Sequence, residues 1–571
     1  MIIVTQEKHS PHKNLYFMYA NLFCKGYRSI IAFAVTILLS SQYAIGQKVF
    51  YSSPERTTPS EAKSYIIGDI SSNTIIWQYN PQAGRSQILV YDGGMHLINR
   101  VKADVFASPQ IYQLSFIKRQ NSFDVIAQTY TKQSFYCQLA SFNGSGILLG
   151  RPKTLIDKSL ANTFLSGSYD CIISANKKYF ALVKDKVQVP ANEIQLDCSL
   201  YYNDDSLQNI ATKTITIPYY KDINTLFSPL NIDNTGNIFF AEYVSQSKDI
   251  NSHVIVYKCA QSQRDYTSCT VDITNKKLAD LNIKLDNYNR QCIVYALWSP
   301  QNNLHTNPPN QQDGGVFSWA VNATNMEGAK KDTAYQVSGI NNLQVQQWKN
   351  ENALTKDAIA LKDNTYTLAV TTVEGHPKNM YSDEDNDAMS GYYINAASYT
   401  PGLYDASNPQ AAQVEAPKKG SKYVGSYSSY AYRNGNYVPK KDAKGNRLTP
   451  PEFNANLLLL RIDNTSNNVM WSQSIKSDHD QNAFSFVNKY SLLNAGDALY
   501  FICKKFLAKD KESFESIKLS ADGEISVRQI MSRNTDYEIM VDYGVQVNSH
   551  TMIFPCIFQD KTLAYARYEI E

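Results

Sequence analysis

Histidines, cysteines and grouped carboxylates are the usual raw material of catalytic and metal sites, and this chain spreads them thinly. Beyond residue 46 the histidines are His96, His253, His305, His376, His479 and His550, with no metal-ligand spacing among them. The run Ser382-Asp-Glu-Asp-Asn-Asp387 offers alternating oxygen donors of the kind Ca²⁺ takes. Ala388 stands where an EF-hand loop needs glycine, so the run reads better as a solvated acidic stretch. Asp478-His479-Asp480 directly follows a strand ending in Ile475 and Lys476. It has the groups for acid/base or metal chemistry, and a polar turn explains it as well. The chain has no G-x-S-x-G elbow, no H-E-x-x-H, no phosphate-binding G-x-x-x-x-G-K-[ST] and no dinucleotide fingerprint. The sequence therefore names no catalytic, cofactor-binding or metal-ligating residue and calls for no cofactor. It leaves open a composite site that a repetitive fold assembles from distant residues.

Eight cysteines follow residue 46: Cys137, Cys171, Cys198, Cys259, Cys269, Cys292, Cys503 and Cys556. An even number in an exported chain permits disulfides. Cys259 and Cys269 flank a turn and are expected to face each other across a hairpin, either bridged or free. The others sit singly in apolar strand segments, as in Ile-Phe-Pro-Cys-Ile-Phe around Cys556, and read as small core residues. No C-x-x-C pair occurs, which argues against structural zinc.

The N-terminal region supplies the expectation of export. Lys25 and Arg28 precede the apolar run Ile30–Leu39, and Ala44-Ile45-Gly46 supplies small residues two apart. That is the pattern of a secretory signal over residues 1–46, with cleavage leaving Gln47 first. The polar stretch before Lys25 is long, so Met18 is a possible true start. An uncleaved anchor is the alternative, and the only membrane attachment the sequence suggests. Cys24 precedes the apolar run and so is not a lipid-modified cysteine at the cleavage site. The compartment expected is the periplasm, the outer-membrane surface or the medium. With 55 Lys+Arg against 52 Asp+Glu, and no basic stripe, the chain does not read as a nucleic-acid binder. Its 40 tyrosines suit half-buried strands, and they also suit a face that binds sugar or peptide.

The elements that must position any site are repetitive. An apolar pair, a tight polar turn and an apolar strand recur in Ile172–Val183, Leu230–Ala241, Leu285–Ala296, Leu361–Val370 and Leu493–Ile502, with weaker copies near Ile70, Ile117 and Val547. Asn, Asp and Gly at the turns are what hairpins demand. A second hairpin follows the first, as in Ile88–Ile98, Leu458–Trp471 and Ile517–Val527. Two hairpins make four antiparallel strands, the content of one propeller blade, and the spacing of roughly 50–60 residues is compatible with a propeller. The chain is thus expected to be all-β, a β-propeller of about 7–8 four-stranded blades over residues 47–571. The last unit lacks an outer strand, and Lys48-Val-Phe-Tyr-Ser-Ser is expected to supply it. Residues 375–452, rich in Tyr, Ser and Gly, interrupt the rhythm between the two hairpins of the sixth unit. A long insertion on a rigid scaffold is a common seat of function, and disorder is the other common explanation. A lesser insertion from Pro300 to Gly315 reads as plain loop.

The stretch from Phe453 to Ile530 resembles exported propeller-like proteins of Gram-negative bacteria. The resemblance is carried by Asn456–Asp463, Val469–Ile475 and Phe486–Phe501, together with the approach Gly445-Asn-Arg-Leu-Thr-Pro-Pro-Glu-Phe453. It implies a fold and a compartment and brings no catalytic residue. The functional expectation is a non-enzymatic envelope propeller that binds an envelope protein or an extracellular polysaccharide. The alternative is an enzyme acting on extracellular glycans or peptides through carboxylates at the channel mouth.

Overall fold

The computed structural model of the chain describes residues 48–570, apart from 57–61, 132–133, 160–168, 189–192, 205–206, 219–223, 246–250, 264, 275, 301–313, 330–332, 337–355, 375–429, 434–435, 440–453, 477–489, 508–510, 533–535 and 560–561. The signal segment 1–46, the acidic run 382–387, Asp478-His479-Asp480, His305 and His376 lie outside the described residues. Of the insertion 375–452, the description covers one hairpin, Tyr430–Arg433 with Asn436–Pro439.

Eight antiparallel sheets succeed one another as the blades of a β-propeller. Blade 1 is Lys63–Ile70, Asn73–Asn80, Arg85–Tyr91 and Leu97–Lys102, in that order across the sheet. Blades 2 to 7 repeat this order over 111–159, 170–218, 224–274, 276–336, 356–476 and 490–532. In blade 4 the first strand is broken in two, Asn224–Phe227 and Asn231–Ile232. In blade 8 it is Tyr537–Ile539 and Val545–Asn548, separated by a 3₁₀ turn at Val541–Tyr543. Blade 8 continues with Thr551–Phe558 and Thr562–Glu569 and takes Lys48–Tyr51 as its fourth strand. The N-terminal strand thus closes the last blade as the sequence suggests, and the count is eight rather than seven.

The strand sequences follow from where each lies. A second strand is covered by a neighbouring blade on both sides, so it reads as a continuous apolar run. Every residue of Ile238–Ser245 is buried. A fourth strand lies at the rim, and Gln208–Pro218 alternates between exposed and half-buried or buried positions. The core is a series of apolar layers between blades. Between blades 4 and 5, Phe239, Tyr243 and Val254 meet Val294, Phe317 and Trp319.

None of the eight cysteines that follow residue 46 forms a disulfide. Cys259 and Cys269 form no bridge and do not face each other as expected. On the adjacent strands Cys269 stands opposite Val256, while Cys259 stands opposite Ile238 of the strand on its other side. The remaining cysteines are buried. Cys137 with Cys171, and Cys198 with Cys259, pack in shared apolar layers between successive blades.

First strands of successive blades approach one another at the junctions 1–2, 3–4, 4–5, 5–6, 7–8 and 8–1, and so form the inner wall. Antiparallel order puts the turns after first and third strands at one end of the ring. The turns after second strands and the blade-to-blade connections lie at the other. In blade 6 the second strand, Thr365–Glu374, ends and the third, Asn454–Asp463, begins at that other end.

Candidate functional site

The end that carries the first hairpin turns holds the best-defined cluster of polar and charged groups. Several turns begin at a short polar residue whose side chain accepts from the backbone beyond it, an Asx-type closure. Asp233 Oδ1 accepts from the amides of Thr235 and Asn237, and Asp286 Oδ1 from those of Tyr288 and Asn289. Asn494 Oδ1 accepts from Gly496, and Asn548 Oδ1 from His550.

The turns are also tied to one another. Asn176 donates its backbone N–H to Asn234 Oδ1 at 2.8 Å and its side-chain amide to the Asn234 carbonyl at 3.1 Å. Asn234 donates its own N–H to Asn287 Oδ1 at 2.7 Å, and Asn289 Nδ2 donates to the Leu361 carbonyl at 2.6 Å. Gln546 and Asn494 exchange two hydrogen bonds between blades 8 and 7. Blade 2 reaches blade 3 through Arg119 and Asp124, both bonded to Asn203. Arg461, paired with Asp363 in its own blade, donates to the Ala521 carbonyl of blade 7. These ties make a belt of amides around the channel mouth, with geometry fixed by neighbouring blades rather than by single loops.

Three lysines stand within it. Lys118 ends the first strand of blade 2. Its side chain crosses the first strand of blade 1 and donates from Nζ to the Val547 carbonyl of blade 8 at 2.8 Å. The crossing needs a glycine: Gly68 has φ +116°, and a Cβ there would lie 3.2 Å from Lys118 Nζ. Lys177 sits in the turn of blade 3 with φ 62°, a conformation that costs a side-chain-bearing residue energy. Lys284 lies on the first strand of blade 5, Lys276–Asp286.

Lys177 keeps contact with solvent, yet enough protein surrounds it that desolvation lowers its pKa. The charges of Lys118 and Lys284 lower it further. The charges acting on Lys177 thus come from lysines of blades 2 and 5. Lys118 is also lowered by desolvation, which the charge of Asp69 opposes. Asp69 is engaged elsewhere: Arg567 reaches it with both terminal nitrogens, at 3.0 and 3.1 Å, and Thr74 donates to it at 2.8 Å. On blade 6, Asp357 accepts from Tyr490 Oη at 2.7 Å. Burial raises its pKa, while the Tyr490 bond and the Lys284 charge oppose that rise. Neither Lys177 nor Lys284 has a hydrogen-bond or ion-pair partner among the described residues.

Of the histidines noted in the sequence, His550 lies at this end, bonded through Nδ1 to Ser549 Oγ at 2.6 Å. His96 is exposed at the rim of blade 1, 3.0 Å from Asp92. His253 is on the third strand of blade 4, opposite Val244 and Asp272. The structure does not bring the three together, and no group of three or more His, Cys, Asp or Glu among the described residues is placed to hold a metal ion. The lysines escaped sequence reading because each is a single residue in a different unit. Aligning the turns by register is the signal that would have found Lys177, which follows Asn176 in the turn of the most regular copy.

No protein-family model matches the chain, and no curated protein matches it in sequence. Similar solved structures include a polysaccharide lyase, Uly1, at 10% identity and TM-score 0.34, covering 92% of this chain and 99% of that one. Dipeptidyl peptidase 4 of Porphyromonas gingivalis is 10% identical at TM-score 0.38, covering 89% of this chain and 57% of that one. The Nup133 β-propeller domain of Vanderwaltozyma polyspora is 10% identical at TM-score 0.31, covering 80% and 100%.

Proposed function

We propose that the protein is an exported, non-enzymatic binding propeller of the cell envelope, and that it holds a surface polysaccharide across the belt of first turns. The observation that carries this reading is the belt itself, a rigid array of amides and hydroxyls around the channel mouth. Asn234 and Asn287 each spend the side-chain oxygen on a neighbouring turn, and their Nδ2 groups have no partner among the described residues. Thr235 is exposed beside them. Such donors suit the hydroxyl-rich edge of a sugar chain, and their fixed geometry lowers the ordering cost of binding.

The test is retention of envelope and extracellular polysaccharides by the immobilised mature chain, with size analysis of the polymer before and after. Retention without shortening is expected, and it should fall when Asn234 and Asn287 are both changed to Ala. Shortening of the polymer would replace this reading with the enzymatic one. Failure to retain any polysaccharide, with reproducible capture of one envelope protein, would replace it with a protein-binding one.

A further inference from the structure

We infer that Tyr288, in the first turn of blade 5, is a stacking platform for a pyranose ring, flanked by the side-chain amides of Asn287 and Asn234 and by Thr235. Resting on the binding role proposed above, it names the chemistry of the polymer: sugars whose hydroxyls are equatorial, as in a β-linked glucan. Such a ring offers C–H bonds on its face and hydroxyls at its edge. The face of a tyrosine carries the negative side of its quadrupole and so attracts those C–H groups.

Three observations meet at this turn. The first is exposure: the Tyr288 side chain is 70% exposed, more than any other large apolar side chain among the described residues. Tyr243, Tyr366 and Tyr565, by contrast, are fully buried in the layers between blades. The second is rigidity. The Tyr288 amide donates to Asp286 Oδ1 at 3.0 Å. On one side of it Asn287 Oδ1 accepts from the Asn234 amide of blade 4 at 2.7 Å, and on the other Asn289 Nδ2 donates to the Leu361 carbonyl before blade 6's first turn at 2.6 Å. The residue is clamped from both neighbouring blades, and its ring has only two torsions to order on binding. The third is the donors beside it. The bond between Asn234 and Asn287 limits the Cα separation of Tyr288 and Asn234 to roughly 12 Å. The two unpartnered Nδ2 groups and exposed Thr235 therefore lie within the length of a short oligosaccharide laid on the ring.

The charged groups of this arc have other roles. Asp286 accepts through Oδ1 from the amides of Tyr288 and Asn289 and through Oδ2 from Asn289 Nδ2. Asp233 accepts through Oδ1 from Thr235 and Asn237 and through Oδ2 from Asn237 Nδ2. Both carboxylates are engaged in closing their own turns. Lys177, Lys284 and Arg290 reach solvent near the platform. A contact made through a ring face and hydroxyl edges is nearly independent of salt, whereas one made through these exposed cations is screened by it. Salt therefore separates the two.

The experiment measures calorimetric binding and retention of a soluble β-linked glucan by the mature chain and by Tyr288→Ala, Tyr288→Phe and Tyr288→Trp. Each is run at low salt and at about 0.5 M sodium chloride. The side chain is exposed, so all three variants should unfold at the wild-type temperature. Tyr288→Ala should lose about tenfold in affinity, the scale of an aromatic stacking contact. Tyr288→Phe keeps the ring and should retain most of the affinity, and salt should change neither result. In Tyr288→Trp the added indole emission should shift to the blue when glucan binds, measured against the wild-type spectrum.

Glucan held by the wild type, released by Tyr288→Ala and kept by Tyr288→Phe supports both the platform and the binding role. Glucan held equally by wild type and Tyr288→Ala, or lost as fully from Tyr288→Phe, overturns the platform and leaves the binding role standing. Binding that disappears at high salt assigns the polymer to the cations and likewise overturns the platform. No glucan held, with another polysaccharide retained through Asn234 and Asn287, overturns the ligand class but not the role. No polysaccharide of any kind retained removes the role and the platform together.

Discussion

The seam between blades 4 and 5 and the seam between blades 8 and 1 do the same geometric task with different chemistry. At the first, Phe239, Val254, Val294, Phe317 and Trp319 interdigitate in an apolar layer. At the second, an apolar layer of Ile76, Leu89, Met95, Val547 and Ile553 is joined by a buried polar network. Tyr565 Oη accepts from Gln78 Nε2 and donates to Ser64 Oγ, both at 2.9 Å. Gln87 continues the chain to Gln78. Arg567 spans to Asp69 and Thr74, and Glu55 accepts from Tyr91 and Arg100. The difference follows from connectivity. Blades 4 and 5 are joined through residue 275 alone, so their meeting is nearly guaranteed and apolar burial suffices. Blades 8 and 1 come from opposite ends of the chain, and Tyr565 and Ser64 are 501 positions apart. Apolar layers tolerate other partners of similar size. A misaligned polar seam instead leaves buried groups unpaired, at about 1–3 kcal/mol each. Directional bonding thus sets which edge meets which, and at what height.

The largest break in this comparison is deletion of residues 48–55. It removes the fourth strand of blade 8, bares the edge of Thr562–Glu569, and takes Glu55 from Tyr91 and Arg100. Loss of most of the folding free energy, typically about 5–15 kcal/mol for a domain, is expected in urea titration, with association through the open edge visible by size exclusion. A deletion variant that stayed monomeric with an unchanged midpoint would show that the seam does not need its strand. Next in size is a matched pair of substitutions. Phe317→Ala should cost about 3–5 kcal/mol by opening a cavity in the apolar seam. Arg567→Met should cost about 3 kcal/mol by leaving Asp69 without its main partner. The seams separate in the second step, because Asp69→Asn added to Arg567→Met should recover part of the loss. Full additivity in that double variant would deny that the two residues act as a pair.

Most of this architecture was legible from the residues. The turn chemistry of Asp233-Asn-Thr-Gly-Asn237 and its relatives fixed the first hairpins, and the unpaired apolar stretch at Lys48–Tyr51 matched a last unit one strand short. Hairpins are local, so their pattern survives in the sequence. The site was not legible in the same way. Lys118, Lys177 and Lys284 are single residues in different units, scattered over more than 160 positions, so no local pattern groups them. The Cys259–Cys269 expectation failed for a related reason. Spacing showed a hairpin but not its register, and Cys269 lies opposite Val256 instead.

A smaller effect links the closing seam to the lysines. Gly68→Ala forces a side chain into φ +116° and against Lys118, at an expected cost of about 1–3 kcal/mol. Repeating the change in a Lys118→Ala background should relieve the contact but not the backbone strain, so the cost should shrink without vanishing. An identical cost in both backgrounds would mean that Lys118 does not lie over Gly68.

The finest test is an exception among the apolar seams. Glu242, fully buried between blades 3 and 4, accepts from Tyr257 Oη at 2.7 Å through one oxygen. Its other oxygen has no partner among the described residues. Desolvation raises its pKa against the opposing effect of the tyrosine bond. The folded state therefore holds this proton over a pH range in which the unfolded chain has released it. Stability should fall as pH rises from the unfolded value, about 4.3, toward the raised folded value, and stay reduced above it. Glu242→Gln removes the ionisation and keeps an acceptor for Tyr257. It should be about 1 kcal/mol more stable than wild type at pH 8, the order of a desolvated polar group, and nearly equal to it at pH 4. A polar seam with paired groups should show no such gain, so Glu55→Gln, which weakens the bond to Arg100, should destabilise at pH 8. If both substitutions shift stability the same way, the cost at Glu242 comes from its place in the strand and not from an unpaired charge.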